Sequence, residues 1–270
     1  MSYKLVAIDM DGTLLNSEGK ISNRTRQAIN EASNKGVYIV LATGRILKSA
    51  LNYSSKLNLN KPIISSNGAL IIDENKRVIY EKPMDLNTVK EIVRIGLEEE
   101  IYYHFYDEEN FYANVYIEDI IKFYNNDDVD KENQIRVNIF KDIDDLILDN
   151  INVYKFLFID NDISRLNSLK DRLNGIKGVS ISSSWSNNLE VMDQGVSKGN
   201  SLKFLCEKLN ISAEEVIAIG DNENDISMIE FAGLGVAMEN GVEKVKSAAD
   251  LVTSSNDEDG VAKVIEKYIL

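Results

Sequence analysis

Leu5-Val-Ala-Ile-Asp-Met-Asp-Gly-Thr-Leu14 opens with four apolar residues and then sets two carboxylates one residue apart before a glycine. Four consecutive apolar residues suit a strand buried on both faces, as in a parallel sheet. In doubly wound sheets, ligands bind beyond the carboxyl ends of the strands. Asp9 and Asp11 are therefore placed to act there, with Gly12 easing the turn. The same short pattern occurs in calcium loops, but the downstream glutamate spacing of such a loop is missing.

Outward from this stretch, strand and helix patterns alternate. Ser22 is a candidate cap for a helix reaching about Lys35, and Gly36 is its stop. Val37–Ala42 reads as a second strand, about Arg45 to Leu57 as a helix, and Ile63–Ser65 as a third strand. From about Pro83 to Trp185 the alternation is lost. A helix (Leu86–Glu99), a hairpin of aromatic strands around Asp107–Asn110, a helix (Glu118–Tyr124) and segments at Tyr154–Ile159, Ser164–Leu173 and Val179–Ser183 follow. After Lys198 it returns, with a helix to Leu209, a strand Val216–Ile219, a helix Ile226–Phe231, a strand Leu234–Ala237, a segment Val242–Ala249 and a last helix from about Gly260. The expected fold class is α/β: a doubly wound parallel-sheet, Rossmann-like core from 1–82 and 187–270, interrupted by an α+β cap from 83–186. The two crossings are expected to act as hinges.

Composition narrows the chemistry. One cysteine, Cys206, excludes an internal disulfide or a multi-cysteine metal site, and its helical spacing with Leu202, Leu205 and Leu209 reads as core. One histidine, His104 in an aromatic strand, leaves acid–base work mainly to carboxylates and lysine. The net charge of −14 is concentrated in the insert, where residues 83–186 hold 11 Lys/Arg against 21 Asp/Glu. Such a surface repels nucleic acid and anionic membrane, so neither is expected as a partner. The acidic runs Asp107–Glu109 and Asp127-Asp128 read as solvated faces. No apolar run is long enough to span a bilayer and no signal-peptide block is seen, so a cytoplasmic location is expected.

Three further motifs repeat the strand-end theme. Thr43-Gly44-Arg45 closes the second strand, where a hydroxyl and backbone amides can hold phosphate oxygens, though a simple helix cap reads the same way. Lys198-Gly199 opens a helix, where a cation opposes the helix dipole and so hints at an anionic partner. Gly220-Asp-Asn-Glu-Asn-Asp225 follows an apolar strand and offers oxygen ligands suited to magnesium.

Taken together, in this order and around this interruption, the motifs resemble the haloacid dehalogenase-like superfamily, most closely its Cof-type phosphatases with a type-IIB cap. The matching pieces are Asp9–Leu14, Ala42–Arg45, Ser66–Ala69, Gly195–Gly199 and Gly220–Met228. One departure is Met192-Asp-Gln194 before Gly195, where many relatives carry a proline. The resemblance implies a magnesium-dependent phosphatase of small phosphorylated metabolites, such as sugar phosphates, that works through an aspartyl-phosphate. It implies Asp9 as nucleophile and Asp11 as acid and base. Magnesium would be held by Asp9, the Asp11 carbonyl and Asp221, with Asp225 in support. Met10, Thr43, Gly44, Lys198 and Asn224 would cradle the phosphoryl oxygens. Arg45 and Asn67 are placed on the substrate side, and Asn188 and Glu190, near the return from the insert, are further candidates. A phosphosugar mutase sharing the phosphoenzyme and a non-catalytic phosphometabolite sensor are the alternatives.

Overall fold

The computed structural model describes residues 2–125, 129, 131–142, 145–146 and 151–270; the acidic pair Asp127-Asp128 lies outside them. Along the chain the elements are β1 (Leu5–Ile8), α1 (Asn23–Asn34), β2 (Tyr38–Ala42), α2 (Leu47–Lys56), β3 (Ile63–Ser65), β4 (Leu70–Ile72), β5 (Val78–Glu81), α3 (Leu86–Glu98), β6 (Tyr102–Tyr106), β7 (Asn110–Ala113), α4 (Glu118–Tyr124) and β8 (Arg136–Ile139). They continue with β9 (Lys155–Ile159), α5 (Ile163–Leu173), β10 (Val179–Ser182), β11 (Asn188–Asp193), α6 (Lys198–Leu209), β12 (Val216–Gly220), α7 (Ile226–Phe231), β13 (Leu234–Ala237), α8 (Glu243–Ala248), β14 (Leu251–Val252) and α9 (Gly260–Tyr268).

These elements form two units. The first comprises residues 1–44, 53–80 and 197–270, and the second 45–52 and 81–196. The expected return to the core at 187 thus falls too early. β11 pairs antiparallel with both β9 and β10, so its hydrogen bonds hold it in the second unit. Nothing local in the sequence marks these partners.

In the first unit, the sheet order is β14-β13-β12-β1-β2-β3-β4-β5. The run from β14 to β3 is parallel, and β4 turns back antiparallel on β3. β1 lies between β12 and β2, and all four of its residues are buried. Leu5, Ala7, Val40, Ala42, Val216 and Ala218 share one core with Leu202, Leu205 and Cys206 of α6. Burial pushes the Cys206 thiol up to about 12, in keeping with a packing role. Ser22 caps α1 by accepting from Thr25 N at 3.0 Å, and Gly36 ends it at φ 87°. α6 and α7 approach closely because Gly199 has no side chain; a Cβ there would lie 2.2 Å from the Ser227 carbonyl oxygen.

The second unit has the order β10-β11-β9-β6-β7-β8, antiparallel except between β7 and β8. One face of this sheet packs on α3 and α5 through Tyr103, Phe105, Phe156 and Phe158, with Leu166, Leu169 and Leu173. Gly96 lets α3 settle on the Tyr103 ring, which a Cβ would meet at 2.5 Å, and the Tyr103 hydroxyl donates to Val93 O at 3.0 Å. Among the described residues, no helix is long and apolar enough to cross a membrane.

Leu169 is wholly buried in this aromatic core. Leu169→Ala should lower stability by about 2–5 kcal/mol, the range for a leucine whose cavity closes only partly. Urea unfolding followed through Trp185, the single tryptophan and a member of the second unit, measures it; an unshifted midpoint would contradict this packing.

Candidate active site at the strand ends

β1 continues past Ile8 by one ladder bond, Asp9 N to Ile219 O at 3.0 Å. The chain then coils back, with Leu14 N bonding Asp9 O at 3.2 Å and Leu15 N bonding Met10 O at 2.9 Å. Asp9, Met10 and Asp11 therefore sit on one tight turn. Gly12 holds φ 79°, and a Cβ there would lie 2.5 Å from Asp221 Oδ2. Only glycine fits so close a pairing of the two strand ends. Thr13 Oγ1 fastens it by donating to Asp221 Oδ1 at 2.7 Å.

Asp225 organises the end of β12. Its Oδ2 accepts from Asp221 N at 2.9 Å and Asn222 N at 3.0 Å, and its Oδ1 accepts from Lys198 Nζ at 2.6 Å. Gly220 leaves room for it, since a Cβ there would lie 2.4 Å from the Asp225 Cβ. Lys198, wholly buried at the first position of α6, also reaches Asp9 Oδ1 at 2.5 Å. The anionic partners hinted at by a lysine at a helix N-terminus are, in this structure, these two carboxylates.

Carboxylate oxygens of Asp9, Asp221 and Asp225 come within 4.8 Å of one another, and all three residues are buried. Burial, reinforced by Asp225, raises the Asp9 carboxyl well above its ordinary range although Lys198 pulls the other way. Burial and Asp225 likewise push Asp221 up to about 7. Burial would lower the Lys198 ammonium, but Asp225 and Asp9 outweigh it and hold the charge on. One ammonium thus faces an excess of carboxylates, and an all-oxygen donor set of this kind fits a hard divalent cation.

Thr43 and Gly44 follow β2 beside this centre in the sheet order. Thr43 N bonds Ile64 O at 2.9 Å, and Thr43 O accepts from Asn67 N at 3.0 Å. Asn67, at φ 55°, accepts through Oδ1 from Asn224 Nδ2 at 3.1 Å, which joins two residues expected to have separate tasks. Arg45, Asn188 and Glu190 belong to the second unit. There Asn188 holds a turn: its Oδ1 accepts from Ser184 N and Trp185 N, and its Nδ2 donates to Ser184 Oγ. Glu190 accepts from Lys155 Nζ at 2.5 Å in a buried ion pair. His104 is buried beside that pair, stacked on Phe111 at 4.3 Å and hydrogen-bonded to the Tyr102 hydroxyl at 3.1 Å. Burial and the nearby Lys155 hold its pKa well below the ordinary histidine range.

Sequence reading gave no role to Thr13, although it lies inside the first motif. It also passed over a brace from the far end of the chain. Asn240 Nδ2 donates to Gly12 O at 2.8 Å, Asn256 N donates to Asn240 Oδ1 at 3.0 Å, and Asn256 Nδ2 donates to Leu15 O at 2.8 Å. Asparagines in polar loops carry no local signal of such a partner.

A family model for haloacid dehalogenase-like hydrolases matches residues 6–265. The chain is 35% identical over 273 residues to 5-amino-6-(5-phospho-D-ribitylamino)uracil phosphatase YcsE of Bacillus subtilis, covering 100% of this chain and 97% of that protein. It is 34% identical over 285 residues to a phosphatase of the same description, YwtE of Bacillus subtilis, covering 98% of each. Among solved structures, a haloacid dehalogenase-like hydrolase from B. subtilis superimposes with TM-score 0.88 at 31% identity, covering 99% of this chain and 100% of that one. A subclass IIB sugar phosphatase superimposes with TM-score 0.83 at 28% identity, covering 98% of each. In sequence over nearly its whole length and in fold, the chain belongs to the haloacid dehalogenase-like hydrolases and is a hydrolase of phosphoric esters.

Proposed function

We propose that this phosphatase cleaves small phosphomonoesters by transferring the phosphoryl group first to Asp9 and then to water, with magnesium as its cofactor. The observation that carries this reading is the Asp9–Lys198–Asp225 arrangement at the strand ends, with Asp9 on the same turn as Asp11. Asp9 and Asp221 would hold the cation together with the Asp11 carbonyl. Asp225, both of whose oxygens are already engaged, would support them. When bound, magnesium would offset the repulsion between the carboxylate nucleophile and an anionic phosphate.

In the first half-reaction an Asp9 oxygen bonds to phosphorus, the ester P–O bond breaks, and Asp11 gives its proton to the leaving oxygen. In the second, water attacks the aspartyl-phosphate, Asp11 takes its proton, and Asp9 leaves as a carboxylate with inorganic phosphate released. Lys198, the Met10 amide, Thr43, Gly44 and Asn224 would hold the phosphoryl oxygens, and positioning of this kind supplies much of the rate in phosphoryl transfer. Arg45 and Asn67 would face the remainder of the substrate. The second unit, acting as a cap, would recognise the leaving group and exclude water. Relatives named for a phosphoribitylaminouracil and a neighbour described as a sugar phosphatase support a small polyol or sugar-like ester.

Asp9→Asn should lower kcat by roughly a thousandfold or more without unfolding the protein. Asp11→Asn should still form phosphoenzyme from an aryl phosphate, whose leaving group needs little protonation, but release phosphate slowly. Rapid-quench labelling separates the two steps, and near-normal turnover by Asp9→Asn would assign the nucleophile elsewhere.

The raised carboxyls make a second test, read by calorimetry. With Asp221 at about 7 in the folded chain, the native state retains protons that the unfolded state has released. Stability from this source is fully present below about pH 4 and is lost as pH rises through about 7. Metal-free protein should therefore melt lower at pH 8 than at pH 5.5, and Asp221→Asn should flatten that slope. Magnesium, competing with those protons, should raise Tm more at pH 8 than at pH 5.5. An equal rise at both values would remove the cation from this cluster.

A further inference from the structure

The turn that carries Asp9 and Asp11 is joined to the turn that carries Asp221 by a third loop, residues 238–242 between β13 and α8. Met238 N bonds Gly220 O at 3.0 Å and Val242 N bonds Asp221 O at 3.0 Å, which moors this loop to the end of β12. Gly241 permits the close approach, since a Cβ there would lie 2.9 Å from Asp221 O. From the same loop, Asn240 Nδ2 donates to Gly12 O at 2.8 Å. The Gly12 carbonyl shares its peptide plane with Thr13 N, and the Thr13 hydroxyl is the group that holds Asp221 Oδ1. Asn240 therefore closes a ring of contacts that runs from Asp221 through Val242, Asn240 and Gly12 to Thr13 and back.

Asn240 is itself steadied. Its Oδ1 accepts from Asn256 N at 3.0 Å, and Asn256 Nδ2 reaches past it to Leu15 O at 2.8 Å. One residue further on, Asp257 Oδ1 accepts from Ser17 N at 2.8 Å. All of these residues belong to the first unit. Asn240 and Asp257 are exposed, where a hydrogen bond exchanged with water adds little to stability. What the links share is their target, the backbone from Gly12 to Ser17. The carboxylates on the two turns repel one another, and a single lysine offsets only part of that repulsion. Neutral amides oppose the spreading of the turns without adding a charge that would repel or compete with a cation. Magnesium demands near-ideal octahedral geometry with short bonds, so a small change in the separation of its ligands costs affinity.

We propose that Asn240, steadied by Asn256, is a positioning residue that sets the gap between the Asp9–Asp11 turn and Asp221 and so preforms the magnesium site. This rests on the magnesium reading given above and adds to it the residues outside the ligand set that fix the width of the site.

Magnesium binding to the full chain, followed by titration calorimetry at one fixed pH, makes the test. Asn240→Ala should raise the magnesium Kd by about three- to tenfold, the scale of one hydrogen bond whose loss leaves the binding-ready arrangement only partly populated. Asn256→Ala, which loses the bond to Leu15 but keeps its backbone bond to Asn240, should raise it less. Thr13→Val should also raise it, and the double variant with Asn240→Ala should fall short of the product of the two, because both act on one joint. Hydrolysis of p-nitrophenyl phosphate by Asn240→Ala should need more magnesium for half-saturation, by the same factor as the Kd. Leu169→Ala, weakened in the other unit, should keep the wild-type Kd, which separates positioning from a general loss of stability. An unchanged Kd in Asn240→Ala, or an equal rise in Leu169→Ala, would overturn the proposal. Magnesium binding that Asn240→Ala weakens, without phosphate release from any ester by the wild type, would uphold the brace and refute the phosphatase mechanism. No magnesium binding by the wild type would refute both.

Discussion

The buried ammonium of Lys198, held between Asp9 and Asp225, is the interaction on which the rest of the site depends. Carboxylates gathered at strand ends repel one another, and removing any of them from water is costly unless it is paired. Lys198 meets part of that cost for two of them, and the amides of Asp221 and Asn222 meet more of it for Asp225. What remains uncompensated is concentrated on Asp9 and Asp221, whose carboxyls are both raised. The fold thus stores its electrostatic imbalance at the atoms proposed to meet the cation and the phosphate.

That imbalance also explains the glycines around the centre. Gly12 and Gly220 each stand where a Cβ would collide with Asp221 or Asp225. A carboxylate cluster this tight needs its neighbours to have no side chains, so the spacing of the first and last motifs is fixed by backbone contact as much as by charge. Thr13 then locks Asp221 in orientation through its hydroxyl.

Much of this was readable from the chain because the responsible forces act over short stretches. The apolar run before Asp9, the one before Gly220, and the cap Ser22 each carry their own evidence. The strands β4, β5, β8 and β11 were not separated, and the boundary at 187 was misplaced, because sheet membership depends on partners far away in sequence. The same limit hid the Asn224–Asn67 link and the brace from Asn240 and Asn256. Arg45, Asn188 and Glu190 were singled out by proximity to motifs. The local hydrogen bonds that give Asn188 its turn and Glu190 its lysine become apparent only once the sheet of the second unit is drawn.

The position of β1 has a consequence for how the chain is made. This first strand lies between β2 and β12, so one of its two flanks stays open until residues Val216–Gly220 have been synthesised. At the usual pace of translation, the interval between the two strands is about 10–40 s. The stretch 81–196, by contrast, emerges as one block and, among the described residues, brings with it all six strands of its own sheet. The middle of the gene therefore encodes the unit that can close first on the ribosome, while the aspartate-bearing turn near the N-terminus waits for its neighbours.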